Sequence, residues 1–197
     1  MATKSILKHG FKAKAERLAL EYRKQLDLSD FSPLCAFKLA EHLSIPVYKA
    51  TDFITLPSEI ASLKANDGHD CGWSALTMKT NSGNTIIINN PYHSIPRQQS
   101  DLMHELAHII CEHSFESLEL EFPIPMGMRS FNELHEEEAK CVGSSLQITR
   151  SGLLWGLKKN LNNDQLADHF NASVDMVKYR LRMTGVAKQL SYSYNVR

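Results

Sequence analysis

Apolar side chains recur every three or four residues along several stretches of the chain, which is the spacing of an amphipathic helix. Two of the predicted helices also carry local start signals. Ser32 and Pro33 suit the cap and the first helical position, and Ser58 suits a cap. The pattern predicts helices over residues 11–26, 32–43, 58–63, 97–112 and 131–147.

Other stretches have the pattern of β-strands. Residues 74–80 alternate in polarity, residues 84–89 are rich in β-branched side chains, and Asn81-Ser82-Gly83 between them is a good hairpin turn. The pattern of residues 45–48 predicts one more short strand. We therefore expect an α+β fold in which a small sheet, built on the hairpin 74–80/84–89, packs on helices.

The C-terminal part has its own pattern, and the sequence predicts a main domain over residues 1–150 with a small helical segment over 151–197. Two short apolar faces, separated by a turn at Asn171-Ala172 and followed by Gly185, resemble a helix-turn-helix. The second of these helices carries Lys178, Arg180 and Arg182. Because Arg180 and Arg182 fall on different helix faces, a docking or structural role is favoured over DNA reading.

Composition narrows the class of protein. Hydrophobic residues make up 43% of the 197 residues, and the net charge is zero. Residues 1–150 hold 15 Lys and Arg against 19 Asp and Glu, whereas residues 151–197 hold 7 against 3. This distribution argues against a nucleic-acid-binding surface along the whole chain, but it is compatible with a basic tail that contacts an acidic partner.

The chain has no apolar run long enough to cross a membrane, and its basic, amphipathic start lacks the pattern of a secretory signal. A surface helix is favoured over a transit peptide for this start. The four cysteines form no CxxC pair, which argues against a zinc ribbon and predicts reduced thiols in a cytoplasmic protein. Cys111 and Cys141 stand among apolar residues and are predicted to fill the core.

The strongest chemical signal is the sequence His104-Glu105-Leu106-Ala107-His108. Residues four apart share one face of a helix, so His104 and His108 present two imidazoles to one zinc ion, and Glu105 is predicted to act as general base for a zinc-activated water. The alternative is two core histidines beside a surface glutamate. Uncharged neighbours around the motif favour the metal site, because they predict a buried helix.

A catalytic zinc also needs a third protein ligand. The pattern in which a third histidine follows six residues later is absent, since position 114 is Ser, and His113 is predicted to be a surface residue or to support a ligand. A later helix offers His135-Glu136-Glu137-Glu138. Its periodicity favours Glu136, does not separate it decisively from His135, and predicts that Glu137 and Glu138 are solvated. The small residues Ala139 and Gly143 are predicted to let the two helices approach closely.

Residues from about 84 to 155 resemble the ImmA/IrrE family of zinc metallopeptidases. Its motif helix and its later ExxA helix align with Arg97, His104, Glu105, His108, Glu136, Ala139 and Leu146, whereas Ser100, Ala107, Val142-Gly143 and Ile148-Thr149 depart from the family pattern. The resemblance implies a zincin-like domain, a Zn²⁺ cofactor, the ligands His104, His108 and Glu136, and the base Glu105. It also implies a narrow substrate such as a helix-turn-helix repressor.

Several further residues are candidates for supporting roles. Tyr92, His93, His113 and His135 are candidate donors to a developing oxyanion. Arg97 is expected to form a structural ion pair, and Asp101 either orients a ligand imidazole or is a favourable first-turn acid. The apolar loop 122–128 is expected either to line a substrate cleft or to be a buried crossover. The predicted function is a zinc-dependent peptidase. Its rival is a non-hydrolytic regulator that binds a repressor or DNA through residues 163–183.

Overall fold

A computed structural model describes residues 6–64, 73–113 and 132–195 of the chain. Within these residues the fold is α+β, as predicted, with many helices and one small sheet. In chain order the elements are α1 (Phe11–Gln25), α2 (Ala36–His42), β1 (Val47–Lys49), a 3₁₀ turn (Ala50–Asp52), α3 (Pro57–Lys64), β2 (Ala75–Lys79), β3 (Thr85–Asn89), α4 (Ile95–Ile110), α5 (Glu133–Gln147), α6 (Arg150–Lys158), α7 (Asn163–Phe170), α8 (Val174–Thr184) and α9 (Val186–Asn195).

The sheet has the strand order β1-β3-β2. β3 pairs antiparallel with β2, with Thr77 opposite Ile87, and parallel with β1. The predicted hairpin closes through Gly83, whose φ of +83° suits glycine and whose N–H donates to the Thr80 carbonyl at 2.8 Å. The centre of this sheet lies against α4, because Ile87 is fully buried in the same core as Leu102 and Leu106.

The main core forms where α4 and α5 pack together, with α1 against α5 and α2 against α4. Gly143 lies at the closest point between α4 and α5. A Cβ atom at that position would come within 2.9 Å of the Met103 carbonyl oxygen. The predicted close approach of the two helices is therefore present, and it depends on the missing side chain of Gly143.

Gly143→Ala should destabilise the protein by about 1–3 kcal/mol, the usual cost of adding a methyl group to a tightly packed core. The clash is with backbone, which cannot move aside as a flexible side chain would. Urea unfolding of the two proteins measures the difference. Glu137→Ala, at a more exposed position of α5, is the control, and a Gly143→Ala protein as stable as the wild type would contradict the packing argument.

The start of α2 differs from the prediction, since the helix begins at Ala36 and not at Ser32-Pro33. The Ser32 carbonyl, which would be the first helical acceptor, instead accepts a hydrogen bond from Nε of the buried Arg23 at 3.0 Å. Ala36 donates its N–H to Gln99 on α4 at 2.7 Å. A tertiary contact thus replaces the local start signal.

The C-terminal segment contains α6 to α9, of which only α7 and α8 were predicted. The predicted turn and helix end are present, because Asn171 and Gly185 end the two helices with left-handed backbone. The Ser173 side chain caps the start of α8. The segment encloses a second apolar cluster that includes Ile148, Leu166 and Phe170. It is attached to the rest of the chain by Arg180, which donates to the Ile148 carbonyl and pairs with Glu16 of α1.

Among the described cysteines, Cys35, Cys111 and Cys141 are free thiols, and Cys71 lies outside the described residues. Cys141 is a buried member of the main core and Cys111 packs against it, as predicted. Burial raises the pKa of the Cys111 thiol to about 11, so it stays protonated at neutral pH. No helix in the described ranges is long and apolar enough to cross a membrane.

Candidate metal centre

The side chains of His104, His108 and Glu136 converge in the groove between α4 and α5. His104 Nε2 lies 3.1 Å from His108 Nε2 and 3.1 Å from Glu136 Oε2. His108 Nε2 lies 3.4 Å from the other oxygen, Glu136 Oε1. One ligand atom from each residue falls within 4.8 Å of the others. The two histidines meet because they are one helical turn apart, and Glu136 reaches them because Gly143 lets α5 approach α4.

This triad has a buried side and an open side. The His108 side chain is 5% exposed, whereas those of His104 and Glu136 are 34% and 32% exposed. An ion held by the three would therefore be anchored against the core by His108. Solvent or a substrate would reach it from the side of His104 and Glu136.

The donor set suits a zinc ion. Three protein ligands of the imidazole and carboxylate type, with one open position, are typical of catalytic zinc. Donors about 2.0–2.2 Å from one tetrahedral ion are about 3.3–3.6 Å apart. Here the two imidazole nitrogens are 3.1 Å apart, and they lie 3.1 Å and 3.4 Å from the two different oxygens of the Glu136 carboxylate. A modest adjustment of these side chains is enough to receive one ion.

Glu105, the residue after His104 on α4, is buried and is held by the sheet. Its Oε2 accepts hydrogen bonds from the Thr77 backbone N–H at 2.9 Å and from the Thr77 hydroxyl at 2.5 Å. Thr77, in the middle of β2, is itself buried, while the next residue, Met78, is exposed. Two donors on one oxygen fix the rotation of the Glu105 carboxylate.

The role of Thr77 was missed in the sequence. The signal is a β-branched hydroxyl residue in the middle of a strand, between the apolar Leu76 and Met78. Such a residue occupies a strand position with a hydrogen-bonding side chain, so it needs a polar partner if it faces the core. Alternation alone does not indicate which partner.

The neighbouring glutamates Glu137 and Glu138 on α5 differ in exposure and in partner. Glu137 is 44% exposed and pairs with Lys140 at 3.6 Å, so its predicted solvation is confirmed. The prediction for Glu138 is wrong: its side chain is only 14% exposed and its Oε2 lies 3.0 Å from His113 Nε2. Its partner comes from the end of α4, and the periodicity of α5 alone carries no information about that partner.

His113 itself is buried against His108, one of the three candidate ligands, and is not at the surface. Its Nδ1 is 2.9 Å from His108 Nδ1, and its ring stacks on that of His135 with centroids 4.3 Å apart. Burial lowers the pKa of His113, partly opposed by the hydrogen bond to Glu138, so the neutral ring is favoured near neutral pH.

The four candidate oxyanion donors differ in burial and in contacts. His93 and His113 are buried, with His93 Nδ1 held 2.8 Å from Asp101, so neither faces a substrate. The Tyr92 ring lies beneath the Lys64 ammonium at 4.9 Å. His135 is partly exposed and lies next to His113. Tyr92 and His135, which are both partly exposed, therefore remain candidates.

Arg97 forms the expected ion pair, 3.8 Å from Asp101, and also donates to Ser74 at 3.3 Å. Asp101 binds His93 and not a ligand histidine, and it lies beyond the first turn of α4, so neither of its predicted roles is found. Burial raises the pKa of Asp101, against the lowering effect of His93 and Arg97. These contacts brace the start of α4. The loop 122–128 lies outside the described residues.

The basic residues of α8 do not form one face. Arg180 is 2% exposed, and its guanidinium donates hydrogen bonds to Glu16 and to the Ile148 carbonyl. Lys178 and Arg182 are exposed, and Lys178 lies 3.6 Å from Asp175. Of the three residues considered for DNA contact, Arg180 is thus a structural residue that joins α8 to α1.

Comparison with known protein families finds a match that covers this site. The Peptidase M78 family model, described as the IrrE N-terminal-like domain, matches residues 59–182, which is more than half of the chain. The matched range contains β2, β3 and the whole triad. No curated protein and no solved structure matches the chain significantly.

Proposed function

This chain belongs to the Peptidase M78 family, whose domain is of the metallopeptidase type, and we propose that it is a zinc-dependent peptidase that hydrolyses a peptide bond with an activated water molecule. The observation that carries the proposal is the convergence of His104, His108 and Glu136, together with the fixed carboxylate of Glu105, the residue that follows His104 on α4 and is held by Thr77. Metal ligands alone fit a structural site. A fixed, buried carboxylate next to them supplies the base that hydrolysis needs.

In this proposal Nε2 of His104, Nε2 of His108 and the carboxylate of Glu136 hold the ion. A bound Zn²⁺ supplies a Lewis acid that lowers the pKa of water towards neutrality and polarises a carbonyl group. The open side between His104 and Glu136 is where the peptide carbonyl arrives, because both side chains are partly exposed there.

Glu105 moves the proton. Thr77 holds the Glu105 carboxylate in place with two hydrogen bonds to Oε2, and we assign the proton transfer to this carboxylate. It takes a proton from the attacking water as the new carbon–oxygen bond forms. It then passes the proton to the amide nitrogen as the carbon–nitrogen bond breaks, so that a carboxylic acid and an amine are released.

We further propose a narrow substrate, such as a helix-turn-helix repressor, in the cytoplasm. This part rests on the resemblance of residues 84–155 to ImmA/IrrE peptidases. The rival, a regulator that binds a repressor or DNA through α7 and α8 without hydrolysis, has less support from α8, where the buried Arg180 is occupied by Glu16.

Removal of the metal tests the proposal. The purified protein is expected to contain about one zinc per chain and to generate a small set of new N-termini in an extract of its host cells. Treatment with a strong chelator should abolish those cleavages, and one equivalent of zinc should restore them. Labelling of new N-termini by mass spectrometry measures the cleavage, and elemental analysis measures the zinc.

Two outcomes would contradict it. Cleavage that is unchanged in metal-free protein would exclude zinc-dependent hydrolysis. Stoichiometric zinc without any cleavage, together with capture of an intact repressor or of duplex DNA, would favour the non-hydrolytic rival. Salt dependence of any DNA binding then shows how many phosphates are contacted.

A further inference from the structure

The end of α4 folds a second histidine back onto the buried ligand His108. Glu112 has left-handed backbone with a φ of +56°, the His113 N–H donates to the His108 carbonyl at 3.0 Å, and the Glu112 N–H donates to the Ile109 carbonyl at 3.0 Å. These two bonds and the left-handed residue form a Schellman cap. Its closing residue is usually an apolar one that packs on the last turn, whereas here it is His113.

Three side chains then form a line from the triad to Glu138. His108 turns Nε2 towards the triad and Nδ1 towards His113, whose Nδ1 is 2.9 Å away. The far side of the His113 ring, Nε2, lies 3.0 Å from Glu138 Oε2. The His113 and Glu138 side chains are 5% and 14% exposed, and His135 covers one face of the His113 ring in a parallel stack.

The protons along this line have one consistent arrangement when His108 Nε2 ligates a metal. A ligating nitrogen carries no proton, so the neutral His108 ring carries its proton on Nδ1 and donates it to His113 Nδ1. His113 must then carry its own proton on Nε2, which faces the acceptor Glu138. In the reverse arrangement, bare nitrogen would face the Glu138 carboxylate and the protonated nitrogen of His108 would face the triad.

We propose that His113 and Glu138 are a positioning pair that fixes the tautomer and ring orientation of His108 and thereby strengthens binding of the metal by the triad. The inference rests on the proposed function, because it assigns a metal to His104, His108 and Glu136. A carboxylate or carbonyl that accepts from a ligand histidine is a common device at metal sites, and its loss weakens metal binding by about 10–100-fold. Here a second imidazole stands between the carboxylate and the ligand.

Zinc affinity of the full-length protein tests the pair, with competition against a chromophoric chelator as the measurement. His113→Phe keeps an aromatic ring for the stack on His135 but removes both nitrogens, and it should weaken zinc binding by about 10–100-fold. Glu138→Gln keeps an acceptor but loses the charge, so a smaller loss of a few-fold to about 10-fold is expected. Glu137→Gln, the neighbouring and more exposed glutamate, is the matched control and should bind zinc like the wild type.

Two readouts separate positioning from a role in stability alone. Long-range ¹H–¹⁵N spectra of the zinc-loaded wild type should give the Nδ1–H tautomer for His108 and the Nε2–H tautomer for His113. The visible spectrum of bound Co²⁺ should change in His113→Phe, because the His108 ring is no longer held. Thermal unfolding of each metal-free variant gives the effect on the fold by itself.

Variants that unfold more easily without metal but bind zinc with wild-type affinity would overturn the inference, as would the Nε2–H tautomer of His108 in the zinc-loaded protein. These outcomes leave the proposed peptidase intact. Conversely, weakened zinc binding in the variants of a protein that cleaves nothing would support the pair and contradict the peptidase. A wild type that binds no zinc would overturn both.

Discussion

Glu105→Gln is expected to lower the rate of peptide cleavage by about 10²–10⁴-fold, the usual contribution of a general base, and to leave zinc binding unchanged. The substituted amide has nearly the same shape, and its oxygen still accepts both hydrogen bonds from Thr77, so the fold around β2 should persist. It has no basic oxygen, however, and therefore cannot take a proton from water. Cleavage of the substrate identified by N-terminal labelling gives the rate, and elemental analysis gives the zinc content.

The control for this experiment is Glu59→Gln, which makes the same chemical change at an exposed position of α3. It should cleave at the wild-type rate. If Glu105→Gln cleaves as fast as Glu59→Gln, Glu105 is not the base. Retention of full regulatory activity in cells by an inactive Glu105→Gln protein would favour the non-hydrolytic rival instead.

The helices that hold the triad could be predicted from the sequence because each is specified by the residue pattern within its own segment. The helical periodicity of α1, α4 and α5 extends over 15 or 16 residues, and a pattern of that length outweighs weak individual propensities. His104 and His108 are four apart on one such helix, so their convergence follows from helix geometry alone. The close approach of α5 was also predictable. Glycine is unfavourable in a helix interior, so Gly143 indicates a position where a neighbouring helix leaves no room for a side chain.

Contacts between distant parts of the chain were not predictable in this way. Periodicity along α5 places Glu138 away from Glu136, but it does not reveal that the cap of α4 brings His113 to that side. Ser32 looks like a helix cap until the buried Arg23 binds its carbonyl. In each case a side chain from another element changes the role that the local pattern predicts.

Helix α6 was missed for a related reason. Its sequence contains Gly152 and Gly156, which are unfavourable in a helix interior and suggest a loop. A Cβ at Gly152 would lie 2.6 Å from the Phe170 ring, and one at Gly156 would overlap the Leu166 side chain. The glycines are thus places where α7 packs closely on α6, and burial of Phe170 and Leu166 offsets their low propensity.

Glu136→Gln is expected to weaken zinc binding by more than about 100-fold, a larger loss than removal of a supporting residue causes. The carboxylate is the one anionic ligand among the three predicted, so an amide in its place removes both a strong oxygen donor and the negative charge that offsets the cation. The same isosteric change at Glu138 should have an intermediate effect, and at Glu137 none. Chelator competition across these three consecutive positions therefore compares sites that differ in the direction of the side chain and not in chemistry.

The order of the three affinities tests the choice of third ligand. His135, the neighbour that helical periodicity did not exclude, has its ring against His113 and not within the triad, so His135→Ala should retain most of the zinc affinity. Should Glu136→Gln bind zinc like the wild type while His135→Ala loses it, the third ligand would be His135. The open side of the site would then have to lie elsewhere, because the partly exposed Glu136 side chain now borders it. A steep loss at position 136 with little change at position 135 would identify Glu136 as the third ligand, at the partly exposed edge of the triad.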